Sequence, residues 1–460
     1  MKTKITFLLA FLFIGFNSGF AQQDEECMTK LSIFHEYVKA KNYDAAFEPW
    51  MAVRNKCPKF NTAIYIDGEK ILNHKIDQAS GADKVALIND LLLLWEKRAE
   101  YFASKTKKGE YAAKACQLMY DNKKELGKTD AELYDCFDAA YKLDKDTFTN
   151  PKSLYTYFSL MVDLYDAGAK PAQDLFNKYD DIVEKVDDEV KSYSEKLNKL
   201  AEKVDGGTVL SKKENSYKRY YESYLKAYDQ IAGSIDSKLG ERANCTNLIP
   251  LYQKDFEAHR SDAVWLKRAV SKMYHKECTE DPLYEQLVKA YDETAPSADT
   301  KYFVATILLK KGKTSEAESY LNQSFELETD TYKKGKLANR IGLILKKKHS
   351  YGKARNYFRQ ALKLNPSSGR PHLSIAAMYA SSAKNCGDTN FNKRAVYWLA
   401  AQEAQRASRV DPTLKKAAAQ SATSYKAKAP TKSEIFTAGM TGKTITIGCW
   451  IGSSVVVPKI

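Results

Sequence analysis

Eight cysteines are the side chains of this sequence that are best suited to covalent chemistry. An even number of cysteines forms disulfides in an oxidising compartment, whereas in a reducing one they stay free and buried. Their positions on the predicted helices must decide which of them pair. They are Cys27, Cys57, Cys116, Cys136, Cys245, Cys278, Cys386 and Cys449.

Metal and catalytic chemistry find little support in the sequence. His275 and Cys278 have a zinc-like spacing, but two ligands do not make a zinc site. Residues 312–314 and 442–444 both read Gly-Lys-Thr, yet each lacks the earlier glycine of a phosphate-binding loop. The sequence contains no C-x-x-C, H-E-x-x-H or G-x-S-x-G motif. We therefore expect no catalytic residue, no metal site and no cofactor.

The first 21 residues have the pattern of a secretory signal peptide. Lys2 and Lys4 precede an apolar run over residues 5–16, and residues 19–21 (Gly-Phe-Ala) fit a cleavage site. No cysteine directly follows that site, so a lipid anchor there is not expected. We predict a periplasmic protein that reaches the membrane only through its partners, in a compartment that favours disulfides.

The chain is basic, with a net charge of +14. Such a charge suits nucleic acid, anionic lipid or acidic protein partners. Export disfavours nucleic acid, and the charges are interleaved along predicted helices, as on an ordinary solvated surface. Anionic lipid and acidic protein therefore stay open as partners, and a solvated surface without a ligand is the alternative.

A helical repeat of about 34 residues organises the C-terminal half. It is most complete from Gly335 to Pro366, where a small residue at Gly342 allows the second helix of the unit to approach closely. The positions that fit the tetratricopeptide repeat (TPR) there are Ile341, Gly342, Ala354, Phe358, Ala361 and Pro366. Adjoining units begin near Ala298 and Gly369, the latter interrupted over residues 381–392. A further unit opens at Cys27, with Ile33, Tyr37, Ala46, Trp50, Val53 and Pro58 in place.

Antiparallel helix pairs bring certain cysteines side by side. Cys27 and Cys57 stand at the two ends of the first helical pair, and Cys245 and Cys278 bracket another in the same manner. Cys116 and Cys136 lie equally far from the turn at Gly127. The remaining two, Cys386 and Cys449, would connect the repeat insertion with the tail. We predict these four disulfides.

The other segments divide the chain further. Residues 172–204 and 211–239 read as long, charged helices that form a hairpin, which either projects from the repeats, packs on them, or is two solvated repeat helices. Thr444–Ile447 and Val455–Val457 are β-formers with a turn predicted at 452–454. The expected segments are a signal peptide (1–21), N-terminal TPR-like helices (22–106), helical hairpins (107–180), the charged hairpin (181–242), the C-terminal TPR array (243–412), and a linker with a β-hairpin cap (413–460).

First helices of TPR units line a concave groove. Lys336, Asn339 and Arg340 take groove-facing positions in one unit, and Arg370 takes one in the next. Lysine and arginine side chains there would bind a carboxylate of a partner segment. The alternative is an ordinary solvated basic face.

Several short segments also carry a resemblance. They are Tyr65-Ile66-Asp67-Gly68, Cys386-Gly387, Ala395-Val396-Tyr397-Trp398, Pro430-Thr431-Lys432 and Ile447-Gly448-Cys449-Trp450-Ile451. The chain resembles TPR proteins of Bacteroidetes cell envelopes from Cys27 to its end. The resemblance implies a periplasmic interaction scaffold.

These observations predict an all-α, TPR-like helical solenoid with a long charged hairpin and a short C-terminal β-hairpin. The expected function is a non-catalytic scaffold or adaptor, in an outer-membrane assembly or secretion complex. The alternative is a carbohydrate- or peptidoglycan-binding envelope protein, because 30 Tyr and 5 Trp could stack on sugars. An aromatic platform in a cleft would favour that alternative, and a long charged groove would favour a protein partner.

Overall fold

A computed structural model describes residues 25–460, so the predicted signal peptide lies outside the described residues. The described chain is helical, apart from turns and one short sheet. It divides into two compact units, and the boundary between them lies between Leu175 and Phe176. Among the helices described, none is both long enough and apolar enough to cross a bilayer.

The first unit consists of successive antiparallel helices that bury an aromatic core. Trp50 is fully buried and donates its indole N–H to the carbonyl of Ile64 at 2.7 Å. Gly68 lies against that ring, where an added Cβ would come within 2.6 Å. The helices are α1 (residues 25–39), α2 (Tyr43–Lys56), α3 (Ala63–Gln78), α4 (Gly81–Tyr101), α5 (Lys108–Asp121), α6 (Asp130–Leu143) and α7 (Pro151–Asp166).

The repeat register predicted for α1 is wrong by one residue. Ile33 and Tyr37, expected at packing positions, are 43% and 39% exposed, whereas Phe34 and Val38 are buried. The four residues form two adjacent apolar pairs, so the sequence offers two possible helix faces. Cys27 is buried with Phe34 and Val38 and lies on the inward face.

The second unit begins within α8 and continues as paired helices. α8 starts at Ala172, so the boundary expected between residues 180 and 181 falls inside a helix. The helices are α8 (Ala172–Asp205), α9 (Lys212–Leu239), α10 (Cys245–Asp255), α11 (Ala263–His275), α12 (Pro282–Thr294), α13 (Ala298–Lys310), α14 (Thr314–Leu327), α15 (Thr331–Lys347), α16 (Tyr351–Leu364), α17 (Arg370–Ser382), α18 (Asn390–Val410), α19 (Lys415–Lys428) and α20 (Lys432–Thr437).

Helices α15 and α16 form the repeat unit expected from Gly335 to Pro366. A Cβ on Gly342 would lie 2.6 Å from the ring of Phe358, which shows how closely the two helices approach. Ala354, Phe358 and Ala361 are buried between them. The all-α, TPR-like solenoid fold predicted from the sequence is confirmed.

The segment expected to be a linker after residue 412 is structured. α19 packs on α18, and Ala376, Ala404 and Ala422 form a small shared core. Alanine side chains allow these helices to lie close together, so an Ala/Lys-rich sequence here forms a packed helix and not a spacer.

The C-terminal sheet is a two-stranded antiparallel hairpin of β1 (Thr444–Ile447) and β2 (Ser453–Val456). The turn predicted at residues 452–454 is wrong, because Ser453 pairs with Ile447 and Ser454 pairs with Thr446. The connection is residues 448–452 instead. It contains Cys449, which has a positive φ of 49°.

Candidate functional site

The residues predicted for the groove meet at one cleft in the second unit. Lys336, Asn339 and Arg340 lie on α15, and Arg370 is the first residue of α17. The opposite wall is the hairpin of α8 and α9, which packs against the repeat helices. We call this space, about 330 Å³ in volume, the hairpin cleft.

Two of the predicted cations face acidic side chains of the hairpin. The ammonium of Lys336 lies 3.2 Å from the carboxylate of Asp187 on α8. The guanidinium of Arg370 lies 3.7 Å from the carboxylate of Asp229 on α9. All four side chains are about half exposed, so each pair contributes at most about 1 kcal/mol.

The other two predicted residues lie deeper in the cleft. The guanidinium carbon of Arg340 is 3.9 Å from the centroid of the Tyr302 ring. Its Nη2 atom is buried and has no hydrogen-bond partner in the described part of the chain, and the same holds for Oδ1 of Asn339. Buried polar atoms are ordinarily paired. The cleft lining therefore includes one unused donor and one unused acceptor.

Two cations that no sequence motif indicated fix the hairpin at its base. Lys272 on α11 is buried and donates to Asp180 at 2.8 Å, and Arg268 donates to Glu184 at 2.7 Å. Burial lowers the pKa of Lys272 and raises the pKa of Asp180, while their mutual attraction opposes both shifts. Breaking such a buried pair leaves an uncompensated charge. This pair therefore anchors the hairpin more firmly than the exposed pairs do.

The hairpin remains in contact with the repeats along its length. Asn198, near the C-terminal end of α8, donates to the side chain of Asn365 at 3.0 Å and accepts from the backbone N–H of Ser367 at 3.0 Å. Lys191, between these contacts and the base, bonds to Asp330. The sequence left open whether the charged hairpin projects from the repeats or packs on them, and in the structure it packs on them.

The charges that line the hairpin cleft are mixed: three basic side chains (Lys336, Arg340 and Arg370) share it with three acidic ones (Asp187, Asp229 and Asp411). Burial and then the charge of Arg340 lower the pKa of His275, which lines a neighbouring cavity of about 220 Å³. Burial also raises the pKa of Tyr332, which lines both the hairpin cleft and this neighbouring cavity. Both side chains are neutral near pH 7, so the positive charge of the cleft comes from Lys336, Arg340 and Arg370.

The structure forms the four predicted cysteine pairs, three of which were expected from helix positions and the fourth as the pair that remained. Cα–Cα distances are 6.5 Å for Cys27–Cys57, 5.8 Å for Cys116–Cys136, 5.3 Å for Cys245–Cys278 and 5.6 Å for Cys386–Cys449. In the described residues, no three His, Cys, Asp or Glu side chains gather as metal ligands would. The chemistry offered by the cleft is recognition through charge and hydrogen bonds.

Comparison with known families agrees with the packing of α15 and α16. Residues 336–368 match the family model of the tetratricopeptide repeat. This TPR unit contains Lys336, Asn339 and Arg340. The match places three of the four predicted groove residues in a repeat whose fold typically serves protein interaction.

Comparisons with whole proteins are weaker. No curated protein matches the chain. Among solved structures, yeast Tom70 is 12% identical over 91% of this chain and 99% of its own, with a TM-score of 0.27. The human IFIT1 dimer with PPP-AAAA is 11% identical over 88% and 94%, with a TM-score of 0.29. The P58(IPK) TPR domain is 13% identical over 87% and 98%, with a TM-score of 0.22. At these TM-scores the similarities carry no inference about ligands.

Proposed function

We propose that this protein is a non-catalytic interaction scaffold that binds an acidic segment of a partner protein at the hairpin cleft. One observation carries the proposal: the TPR-like helices hold an acidic helix of their own chain. Asp180, Glu184 and Asp187 of α8 recur at three- to four-residue spacing and meet cations of α11 and α15. A carboxylate of a partner segment would meet the exposed cations of this face in the same way.

The cleft offers an entering carboxylate specific contacts. Arg340 has an unpaired, buried guanidinium nitrogen, and Lys336 and Arg370 hold only weak, solvent-exposed pairs that a stronger ligand can replace. A partner would exchange the exposed contacts with Asp187 and Asp229, while the buried Lys272–Asp180 pair keeps the base of the hairpin in place.

The compartment forms part of the proposal. The signal-like N-terminus, the disulfides and the resemblance to envelope proteins support a periplasmic scaffold within an outer-membrane assembly or secretion complex. Its partner would be a component of that complex, and the chain would contact the membrane only through it.

Capture from cross-linked cell envelopes tests this function. Wild-type protein should recover a partner whose yield falls strongly in Lys336→Glu/Arg370→Glu and in added salt. Lys353→Glu/Arg359→Glu, which reverses two charges on the neighbouring helix α16, should retain it. If both double variants recover the partner equally well, the basic residues of the cleft are an ordinary solvated surface and not a binding site.

A further inference from the structure

A second cleft lies where the chain departs from its repeat pattern. One wall is Ala383 and Lys384, directly after α17, and the floor is the first two turns of α18. The other wall is α20 together with Pro430 before it. We call it the tail cleft. Its volume of about 850 Å³ is in the range of small-molecule sites and exceeds that of the hairpin cleft.

Both walls of the tail cleft are held in place by specific bonds. The disulfide Cys386–Cys449 fixes the insertion to the β-hairpin turn. Arg394 donates to the carbonyls of Lys428 at 3.1 Å and Ala429 at 2.7 Å, and it pairs with Glu434 on α20. The cleft is therefore preorganised for a ligand.

The charge that remains available in the cleft is positive. Glu434 accepts from the backbone N–H and hydroxyl of Thr431, and these bonds, together with Arg394, keep the pKa of its carboxyl below the usual range. Arg394 and Glu434 thus neutralise each other. Lys384 and Lys393 also line the cleft, and neither forms an ion pair within residues 25–460. The ammonium groups of Lys384 and Lys393 are therefore available to bind an anion.

The remaining lining combines aromatic rings with hydroxyl groups. Phe391 and Tyr397 of α18 provide partly exposed aromatic rings. Ser433 and Thr437 add hydroxyl groups that hydrogen-bond to nothing in the described chain. Aromatic rings suit the apolar face of a sugar ring, and hydroxyls suit its polar edge.

We propose that the tail cleft binds an acidic saccharide of a few units, with its sugar ring against Tyr397 and its carboxylate between Lys384 and Lys393. An acidic peptide would pair with the two lysines but would make fewer contacts with the aromatic ring and the hydroxyl groups. The site is separate from the hairpin cleft and does not depend on the scaffold function.

Calorimetric titration of the full chain tests the site, with trigalacturonate and a muramic-acid-containing disaccharide as probes. At least one should bind, and neutral maltotriose should bind about tenfold more weakly or not at all. Lys384→Gln/Lys393→Gln should weaken binding about tenfold or more, whereas Lys416→Gln on α19 should not. Lys384 is a surface residue, and Lys393 is partly exposed at the cleft, so the double variant is expected to fold.

The aromatic contact is tested separately. Tyr397→Ala, with Tyr397→Leu as a bulkier second variant, should weaken saccharide binding, while Phe436→Ala, an exposed ring on α20 outside the lining, should leave it unchanged. Absence of binding to both acidic probes would overturn the proposal. So would equal affinity in both Tyr397 variants, or tighter binding of a triglutamate peptide, which would assign the cleft to a protein ligand.

Discussion

The ammonium group of Lys336 lies 3.2 Å from the carboxylate of Asp187, although 149 residues separate them in sequence. The pair joins a TPR unit to a helix of the same chain that lies on its concave face. A groove residue identified from the repeat pattern thus already has an acidic neighbour. Under the proposed function, an acidic segment of a partner would therefore have to replace the contact with Asp187.

Replacing Arg340 should weaken binding of the acidic partner without lowering the stability of the protein. Its Nη2 atom is buried without a partner, so Arg340→Met, which retains the length of the side chain over Tyr302, removes an unsatisfied charge. We expect a melting temperature that is unchanged or raised by a few degrees, with about tenfold weaker capture of the acidic partner. Differential scanning calorimetry and pull-down measure the two effects. The exposed Arg359→Met should alter neither, and a clear loss of stability in Arg340→Met would show that the guanidinium is structural.

Two glycines of the same repeat unit should respond oppositely to alanine. A Cβ on Gly342 meets the Phe358 ring at 2.6 Å, so Gly342→Ala should destabilise the protein by about 1–3 kcal/mol. Gly352, in α16, has open space around it, and Gly352→Ala should stabilise by up to about 1 kcal/mol through lower chain entropy. Urea denaturation compares them. Destabilisation of the same size in both would contradict the packing described for α15 and α16.

The repeat unit was predictable because its small and aromatic residues stand at fixed separations that few other folds require. Which face of α1 is buried could not be predicted, because Ile33 and Phe34 are both apolar and periodicity alone does not choose between them. Three cysteine pairs could be predicted from matched positions on paired helices, and the fourth, Cys386–Cys449, only as the pair that remained. The Arg340–Tyr302 stack and the Lys272–Asp180 pair join distant helices, and no local pattern indicates which cation meets which partner. The turn at residues 452–454 looked plausible locally, but docking of the preceding residues moved it.

The tip of the charged hairpin should be sensitive to acid. A hydrogen bond from Lys203, then the backbone N–H and hydroxyl of Ser211, lower the pKa of Glu214 from 4.5 to about 2. Because the folded value lies below the ordinary one, the stabilising effect is complete above pH 4.5 and is lost as the pH falls towards 2. A ¹³C-carboxyl NMR titration should give a midpoint near 2 that rises in Lys203→Met and Ser211→Ala. A wild-type midpoint near 4.5 would refute the capping contact.

The disulfide between Cys386 and Cys449 should hold the β-hairpin turn on the repeats. Trp450, next to Cys449, donates its indole N–H to Ser382 at 2.9 Å, and its ring centroid lies 5.3 Å from that of Tyr351. Opening a loop of 63 residues costs about 4 kcal/mol in the chain-entropy model. Cys386→Ala/Cys449→Ala should therefore lower the melting temperature and shift Trp450 emission to the red, with Trp450→Phe giving the background. Non-reducing peptide mapping must first find the pair in the wild type.

Removing the C-terminal tail tests whether the β-hairpin covers apolar surface at the end of the repeat helices or binds a partner. Ile445, Ile447, Ile451 and Val455 are buried, and the strands lie against α18, so deletion after Lys432 uncovers apolar surface. Uncovered surface on a repeat array promotes association. The deletion should be made with Cys386→Ala, so that no free thiol links two molecules, and full-length Cys386→Ala/Cys449→Ala serves as the control. We expect a lower melting temperature than the control and dimers or larger species in light scattering. A truncated protein that stays monomeric and equally stable but no longer captures the partner would instead make the β-hairpin a docking element, because its loss would then affect binding without affecting the core.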